Sequence, residues 1–247
     1  MSGMWVWIWA VLFLFFAGPA CKVSKVDSRH RMSEKEFGRL RHAMVEHQIQ
    51  ARGVTDPKVL DAMRRVGRHE FVPPDLASQA YGDFPLPIGS GQTISQPYIV
   101  ALMTELAKIE DDSRVLEVGT GSGYQAAVLS VLAGEVYSIE ILEPLGNQAK
   151  ERLSRLGYSN VHVRIGDGYK GWPEAAPFDA ILVTAAPDHI PQPLVDQLKT
   201  GGRMVIPIGD FYQELEVITK TNEGIKREKA IPVRFVPMTG EAEDHEQ

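Results

Sequence analysis

The sequence predicts an α/β fold with a mostly parallel, doubly wound sheet that ends in an antiparallel hairpin and follows N-terminal helices. Short apolar runs alternate with segments of helical periodicity between residues 113 and 208, and a glycine-rich turn follows the first run. Two further runs of strand type flank Asn222-Glu223-Gly224 and form the predicted hairpin. Strand–helix alternation of this kind builds a parallel sheet that binds ligands at the carboxyl ends of its strands.

The first 31 residues are predicted to lie outside this fold. Residues 4–20 are an unbroken apolar stretch, which as a helix would measure about 25 Å at roughly 1.5 Å per residue and is marginal for crossing a bilayer. Three interpretations stay open: a signal peptide for export, a membrane tether and an upstream extension. No Lys or Arg precedes the stretch and four follow it by residue 31, which favours a cytoplasmic location for the rest of the chain.

Two helices are predicted before the sheet. Ser33 is of the residue type that caps helices, and Glu36 three residues later completes a capping box. Gly53 ends this first helix. Asp56-Pro57 begins the second helix, with proline in its first turn, and the helical spacing of apolar residues continues to Gly67. Both helices are expected to serve packing alone.

Residues 71–97 are rich in proline and glycine and cannot continue a helix or a central strand. Long irregular segments inside a compact domain usually carry function, so the polar tip at residues 92–96 is the predicted substrate loop. Ser95 precedes a predicted helix over residues 98–109, and two roles stay open for its hydroxyl: helix capping and substrate contact. Asp83 either orders the loop through backbone hydrogen bonds or contacts the substrate.

The sequence Leu116-Glu117-Val118-Gly119-Thr120-Gly121-Ser122-Gly123-Tyr124 places a strand, an acid and three alternate glycines before a helix. Glycine has no Cβ and adopts positive φ, so such a turn lets the backbone contact a ligand. Glu117 would repel the pyrophosphate of a dinucleotide but attract the ammonium and sulfonium groups of S-adenosylmethionine. The turn therefore predicts a Rossmann-like methyltransferase, with a dinucleotide-binding protein as the alternative.

The strands after the glycine turn end in further polar residues. Glu140 is placed to accept hydrogen bonds from the ribose diol that both cofactors carry, and later strands lead to Gly166-Asp167-Gly168 and to Thr184. Because the carboxyl ends of parallel strands share one edge, these residues are expected to meet there. The predicted helices are residues 124–132, 145–156 and 194–198, and the predicted strands are residues 136–140, 161–165, 178–183, 204–208, 215–219 and 225–232.

Composition limits the function classes. The chain has 247 residues with 44% hydrophobic and 23% charged content, which is typical of one globular α/β domain. A net charge of −6 lacks the basic footprint of a protein whose main partner is nucleic acid. Cys21 is the only cysteine and the histidines lack ligand spacing, so neither an intrachain disulfide nor a metal site is expected.

Four segments carry a family resemblance. They are residues 85–97 with the motif Thr93-Ile94-Ser95-Gln96-Pro97, the glycine turn, Gly166-Asp167-Gly168 with Gly171-Trp172, and Phe235-Val236-Pro237-Met238-Thr239. Together they resemble the protein-L-isoaspartate O-methyltransferase family, over about residues 41–240. The resemblance implies methyl transfer from S-adenosylmethionine to the free α-carboxylate of L-isoaspartyl residues in age-damaged proteins and peptides, which starts their repair through a succinimide.

The resemblance also implies roles for matching residues. Ser95 would be the active-site residue that positions the acceptor carboxylate, and Thr93, Ile94 and Gln96 would bind the substrate. The implied cofactor-binding residues are Glu117, Gly119, Gly121 and Gly123 at the methionine part, Glu140 at the ribose, Asp167 and Gly168 at the adenine, and Gln92, Val100 and Thr239 as further contacts.

Residues 32–240 are thus predicted to form a methyltransferase domain, and the acidic residues 241–247 a disordered tail. The main alternative is an O-methyltransferase of a small-molecule carboxylate, which would share the cofactor half. An amino-methyltransferase of nucleic acid is disfavoured because Thr184-Ala185-Ala186-Pro187 offers no clamp for an exocyclic amine. The intact glycines and acids disfavour a non-enzymatic, membrane-tethered scaffold.

Overall fold

A computed structural model of the chain describes residues 32–245. The apolar stretch at residues 4–20, with its three interpretations, and residues 246–247 lie outside this range. In the part of the chain that is described, no helix combines the length and apolarity needed to cross a membrane.

The described elements follow the predicted order. The α-helices are α1 (Glu34–Met44), α2 (Pro57–Arg65), α3 (Pro97–Ala107), α4 (Tyr124–Ser130), α5 (Glu143–Arg155) and α6 (Gln192–Gln197). The strands are β1 (Leu86–Gly89), β2 (Gln92–Ile94), β3 (Arg114–Val118), β4 (Glu135–Glu140), β5 (Val161–Ile165), β6 (Phe178–Val183), β7 (Leu198–Ile208), β8 (Gln213–Thr221) and β9 (Gly224–Val233). β1 and β2 form a small hairpin that the sequence did not predict.

Within residues 32–245 the main sheet has seven strands in the order β5-β4-β3-β6-β7-β8-β9. β5, β4, β3, β6 and β7 are mutually parallel, and β8 and β9 are antiparallel. The fold class is therefore confirmed, including the closing hairpin. β4 and β5 follow β3 on one side of the sheet, and the next strand in the chain, β6, lies on the other side of β3. Ligands of α/β sheets bind outside the strand ends at such a reversal.

Both faces of the sheet are covered, because successive side chains of a strand point to opposite faces. Val115 of β3 packs in a buried cluster with residues of α2, α3 and α4. Leu116 packs in a second buried cluster with residues of α6 and β7. By the same alternation Glu117 shares the face of Val115, and Val118 shares the face of Leu116.

The helices before the sheet begin as predicted. Ser33 Oγ accepts a hydrogen bond from the Glu36 N–H at 3.4 Å, and Glu36 Oε2 accepts one from the Ser33 N–H at 2.7 Å. The helical backbone continues past α1 through one π-helical and one 3-10 turn to Gly53, whose φ of 99° ends it. Asp56 caps α2 by accepting from the Lys58 N–H at 2.8 Å.

Helix α3 is not capped by Ser95, so that reading of its hydroxyl was wrong. The N-cap is Gln96, whose side chain makes no capping hydrogen bond. Instead the carboxylate of Asp83 accepts a hydrogen bond from the Tyr98 N–H at 3.1 Å. Arg52 Nη1 donates a second hydrogen bond to this carboxylate, at 2.6 Å. Asp83 thus orders the loop through a backbone hydrogen bond, one of its two predicted roles.

The end of the described chain differs from the expected disordered tail. Glu241–His245 form a 3-10 helix. The Glu241 N–H donates to Asp167 Oδ2 at 2.9 Å, and the Glu241 carboxylate pairs with Lys170 at 2.8 Å. Ala242 is buried. These contacts join residues more than seventy positions apart, so the acidic composition of the segment could not reveal them.

Gly38 allows a test of α1. It lies in the helix interior, and a Cβ there would meet no atom within 4 Å. Glycine in a helix interior costs roughly 0.5–1 kcal/mol relative to alanine, so Gly38→Ala should raise the free energy of unfolding by about that amount. Urea unfolding measures this change. In the control Gly202→Ala, the new Cβ would lie 2.8 Å from the carbonyl oxygens of Asp179 and Lys199 and should destabilise the fold.

Candidate active site

The glycine turn after β3 lines a cavity at the carboxyl edge of the sheet. Gly119 and Gly121 face this cavity with φ angles of 96° and 52°. A Cβ on Gly119 would lie 2.4 Å from Thr184 Oγ1, and this hydroxyl also lies 2.7 Å from the Gly119 carbonyl oxygen, its acceptor. Thr184 follows β6, so the turn is fixed to the neighbouring strand and requires glycine at position 119.

Gly123 lies outside the cavity lining, in contrast to the expectation that all three glycines face the cofactor. It is the N-cap of α4, with a φ of 86°. A Cβ there would lie 3.2 Å from Leu153 and 3.5 Å from Ala149, both in α5. The third glycine therefore serves the start of α4 and its close packing against α5.

Glu140 ends β4 and lines the cavity. Its two carboxylate oxygens accept hydrogen bonds from the Gly121 N–H at 2.7 Å and from the Leu142 N–H at 2.9 Å. Each oxygen keeps a lone pair for a further donor. The position therefore fits a carboxylate that accepts from a ribose diol, and this role stays a prediction.

Glu117 does not line the cavity and lies fully buried beneath the glycine turn. Side chains alternate along β3, so Val118 faces the cavity and Glu117 points to the side covered by α4. Ser138 Oγ donates to the Glu117 carboxyl group, and Thr120 Oγ1 lies 2.6 Å from the same hydroxyl. Burial raises the pKa of Glu117 to about 8, although the Ser138 hydrogen bond acts in the opposite direction. The group is mostly neutral at pH 7, so the charge on which its predicted attraction for the ammonium and sulfonium groups rested is largely absent.

Asp167 also lies outside the cavity lining, whereas Gly168 belongs to it. The Asp167 carboxylate accepts from the Tyr169 N–H and from the Glu241 N–H, each at 2.9 Å. A Cβ on Gly168 would lie 2.4 Å from Val118 Cγ1, so this position admits only glycine without a shift. Of the two residues predicted at the adenine, only Gly168 lines the cavity, and its adenine contact stays a prediction. Asp167 anchors the surrounding backbone.

The predicted substrate loop reaches the same cavity. Gln92, Thr93, Ile94 and Ser95 line it. The β1–β2 hairpin contacts the glycine turn, because a Cβ on Gly121 would lie 3.4 Å from Ile88 Cδ1. Gln96 is the exception among the predicted substrate residues. It lies outside the lining, and its Nε2 donates to Asp83 Oδ2 at 2.6 Å.

The segment before the C-terminal 3-10 helix closes the cavity. The Ala186 N–H donates to the Val236 carbonyl and the Met238 N–H donates to the Ala186 carbonyl, both at 2.8 Å. The predicted contacts Val100 and Thr239 lie in the lining. The lining residues that the sequence did not single out include Ser122, Tyr124, Gln125, Ala185, Val236 and Met238.

Arg68 orders the substrate loop. It was not identified as a functional residue from the sequence. Its side chain is fully buried, and its guanidinium donates to the carbonyls of Ala80, Phe84 and Ser95, the last at 3.0 Å. Burial lowers the pKa of Arg68 to about 10, so it stays protonated at neutral pH. The stretch Arg68-His69-Glu70 looks like an exposed turn in the sequence, and only the fold reveals its buried cation.

The electrostatic character of the cavity is simple. Glu140 is the one carboxylate in its described lining, and no Lys, Arg or His side chain lines it. In the described range no group of three or more His, Cys, Asp or Glu side chains could hold a metal ion. Apolar walls, hydroxyls and a single carboxylate fit a nucleoside cofactor with a cationic centre.

Comparison with known proteins decides the family. Residues 39–243 match the family of protein-L-isoaspartate (D-aspartate) O-methyltransferases (PCMT). The chain belongs to this family. The Picosynechococcus protein-L-isoaspartate O-methyltransferase is 60% identical over 201 residues, which cover 81% of this chain and 90% of the relative. Protein-L-isoaspartate O-methyltransferase 2 of Shewanella sediminis is 51% identical over 234 residues, which cover 94% and 96% of the two chains.

A solved structure supports the same assignment. The Plasmodium falciparum PCMT protein in complex with S-adenosyl-L-homocysteine is 29% identical with a TM-score of 0.70, covering 81% of this chain and 98% of that one. The chain is accordingly an S-adenosylmethionine-dependent methyltransferase that acts on isoaspartyl residues of proteins and starts their repair. The predicted family, cofactor and reaction are confirmed.

Replacing Arg68 tests whether it holds the loop. In Arg68→Met three carbonyls lose a charged donor, so we expect the free energy of unfolding to fall by on the order of 3 kcal/mol and turnover to fall with it. Arg65→Met removes the same charge from an exposed neighbour and should change both quantities little. Urea unfolding and initial rates measure the two effects. Unchanged turnover in a folded Arg68→Met protein would contradict the loop-ordering role.

Glu117→Gln tests the buried carboxyl group. The pKa of this carboxyl group is about 8 in the folded chain and 4.5 ordinarily, so between these values the folded chain binds the proton more tightly than the unfolded chain does. The free energy of unfolding of the wild type therefore falls as the pH rises from 4.5 to about 8. Glutamine cannot ionise and avoids this loss. Relative to the wild type, the variant should gain up to about 1.4 kcal/mol per pH unit over this window. Urea unfolding at several pH values measures the difference, and a pH-independent difference would show that the carboxyl group titrates normally.

Proposed function

We propose that methyl transfer takes place in the cavity between the glycine turn and the substrate loop, and that Ser95 positions the acceptor carboxylate. The observation that supports this is the presence of Ser95, Gly119, Gly121 and Glu140 in one lining. Residues from the loop and from two strand ends thus meet where a cofactor and an acceptor have to meet.

The acceptor needs little chemical activation. A carboxylate has an ordinary pKa of about 4 and is ionised at pH 7, so no general base is required. When bound, S-adenosylmethionine supplies a methyl group on a positively charged sulfur. The protein has to align the acceptor oxygen with that methyl group and to exclude water from the oxygen. The absence of His from the described lining fits a Ser95 that positions the acceptor and does not act as a nucleophile.

The absence of cationic side chains from the described lining serves this alignment. A Lys or Arg beside the acceptor would bind the carboxylate strongly and would repel the sulfonium, and the described lining contains neither. The hydroxyls of Ser95 and Thr93 can donate to a carboxylate without a competing charge. Because Glu117 is buried and mostly neutral, the anions at the cavity are the acceptor carboxylate itself and Glu140.

The remaining roles divide into contact and support. We assign cofactor contact to the backbone of Gly119 and Gly121, to Glu140 at the ribose and to Gly168 at the adenine. Thr93 and Ile94 contact the acceptor or the adjoining cofactor. The supporting residues of the predicted set are Glu117 under the turn, Gly123 at the start of α4, Asp167 at the C-terminal 3-10 helix and Gln96 beside Asp83.

For the methyltransferase domain, residues 32–240, we propose a cytoplasmic location, with or without a membrane tether through residues 4–20. The support is the apolar stretch 4–20 with its basic residues after it and none before it. Membrane flotation of the full chain and of a chain that begins at Met32 tests the tether. Equal recovery in the soluble fraction would reject the tether, and a cleaved N-terminus found by mass spectrometry would support export.

Ser95→Ala and Glu140→Ala should separate turnover from cofactor binding. Ser95→Ala removes one positioning contact, so turnover should fall about tenfold or more while the S-adenosylmethionine dissociation constant stays nearly unchanged. Glu140→Ala removes the ribose acceptor and an anchor of the glycine turn, so the dissociation constant should rise. Calorimetry and radiolabelled methyl transfer measure the two quantities.

The assay compares an isoaspartyl peptide with its aspartyl twin, so that acceptor choice is tested with the same cofactor. Lost cofactor affinity in Ser95→Ala, or an unaltered dissociation constant in Glu140→Ala, would contradict the respective role. Equal methylation of both peptides, or a preference for a small-molecule carboxylate, would contradict the acceptor proposal.

A further inference from the structure

The turn between β7 and β8 carries the most exposed large hydrophobic side chains of the described chain. Phe211 is 100% exposed and Tyr212 is 95% exposed. We call residues 209–213 the aromatic turn. Single exposed hydrophobic residues are common on protein surfaces. Contiguous exposed apolar surface, such as two adjacent aromatic rings provide, is typical of interaction sites.

The aromatic turn is fixed by its own backbone and by one buried side chain. Gly209 has a φ of 118°, and a Cβ there would lie 2.2 Å from the Tyr212 carbonyl oxygen. Gln213 is buried, its Oε1 accepts from the Phe235 N–H at 2.6 Å, and its Nε2 donates to the Phe235 carbonyl at 3.2 Å. The turn therefore presents both rings from an anchored base.

The same contacts place the aromatic turn beside the cavity, on the side of β6 and β7. Gly209 follows β7 and donates its N–H to the Pro187 carbonyl at 3.0 Å, two residues after Ala185 of the cavity lining. Phe235 directly precedes Val236, which lines the cavity as well. Glu140, the proposed ribose ligand, ends β4 on the other side of β3. The aromatic turn thus adjoins the half of the cavity away from the proposed ribose site.

We propose that the aromatic turn docks the polypeptide of the damaged protein next to its isoaspartyl residue. This inference rests on the proposed function of the cavity. Aromatic rings offer a large contact area for little loss of side-chain entropy, and they contact a peptide backbone beside any sequence. Such a surface suits an enzyme whose substrates share a damaged linkage and no sequence motif.

The reach of the aromatic turn sets a length requirement. A path along the backbone joins Phe211 to the cavity. It runs two residues back to Gly209, across the hydrogen bond from Gly209 to Pro187, and two residues further to Ala185 of the lining. At 3.8 Å per Cα step this path is at most roughly 20 Å, which an extended peptide spans in about six residues. A flank of about eight residues exceeds this upper bound and can reach the rings, whereas a flank of one residue spans only about 3.5 Å of the path.

The test compares the full chain with Phe211→Ser/Tyr212→Ser on two isoaspartyl peptides, with about one and about eight flanking residues on each side. For the long peptide the KM of the variant should rise roughly tenfold, the scale of losing one aromatic anchor, while its kcat stays unchanged. The KM for the short peptide and the cofactor dissociation constant should stay unchanged. Ile225→Ser is the control, because Ile225 is 42% exposed on the β8–β9 turn at the opposite edge of the sheet.

Each other outcome overturns the inference in a recognisable way. An unchanged KM for the long peptide, or an equal rise for both peptides, would show that the rings do not dock the flanks. A wild type that sediments as a dimer beside a monomeric variant would assign the rings to a second copy of the chain. Failure of the wild type to methylate either peptide would overturn the proposed function as well.

Discussion

The glycine turn between β3 and α4 is held from two sides, and the functional edge is organised around this double anchorage. Thr184 after β6 holds the carbonyl of Gly119, and Glu140 at the end of β4 holds the N–H of Gly121. The two anchors come from the strands on either side of β3, so the register of the parallel sheet fixes the cavity. The Glu140 carboxylate both orders the turn and faces the cavity, so the residue that shapes the site is also the proposed ribose ligand.

Burial decides which charges the site can use. Glu117 lies closest to the glycines in sequence, yet desolvation raises its pKa and leaves it mostly neutral. Arg68 stays charged at neutral pH because its pKa, although lowered by burial, is still about 10, and it donates to three carbonyls, including that of Ser95. The cavity itself keeps apolar walls and hydroxyls. An anionic acceptor and a cationic donor neutralise each other during transfer, and such surroundings favour this loss of charge.

The sequence predicted the parts of the structure that depend on local chemistry. The capping box of Ser33, the start of α2 at Asp56-Pro57, the glycine turn and the closing hairpin are encoded within a few residues and are confirmed. Glu117 was assigned from its charge and from the family resemblance. Side chains alternate along β3, so Glu117 points away from the cavity, toward the face that α4 covers. The loop contacts of Arg68 and the hydrogen bond from the Tyr98 N–H to Asp83 join residues twelve or more positions apart, which no local pattern encodes.

The docking of the C-terminal 3-10 helix on Asp167 matters for the design of recombinant protein. Thr239 lines the cavity, and two residues later the Glu241 N–H is bound to the same carboxylate that caps the backbone beside Gly168. A purification tag or fluorescent fusion joined directly after residue 240 would remove the Glu241–Lys170 ion pair and the buried Ala242, and would disturb the proposed adenine side of the pocket. A spacer that preserves Glu241 and the buried Ala242 keeps the label away from the chemistry.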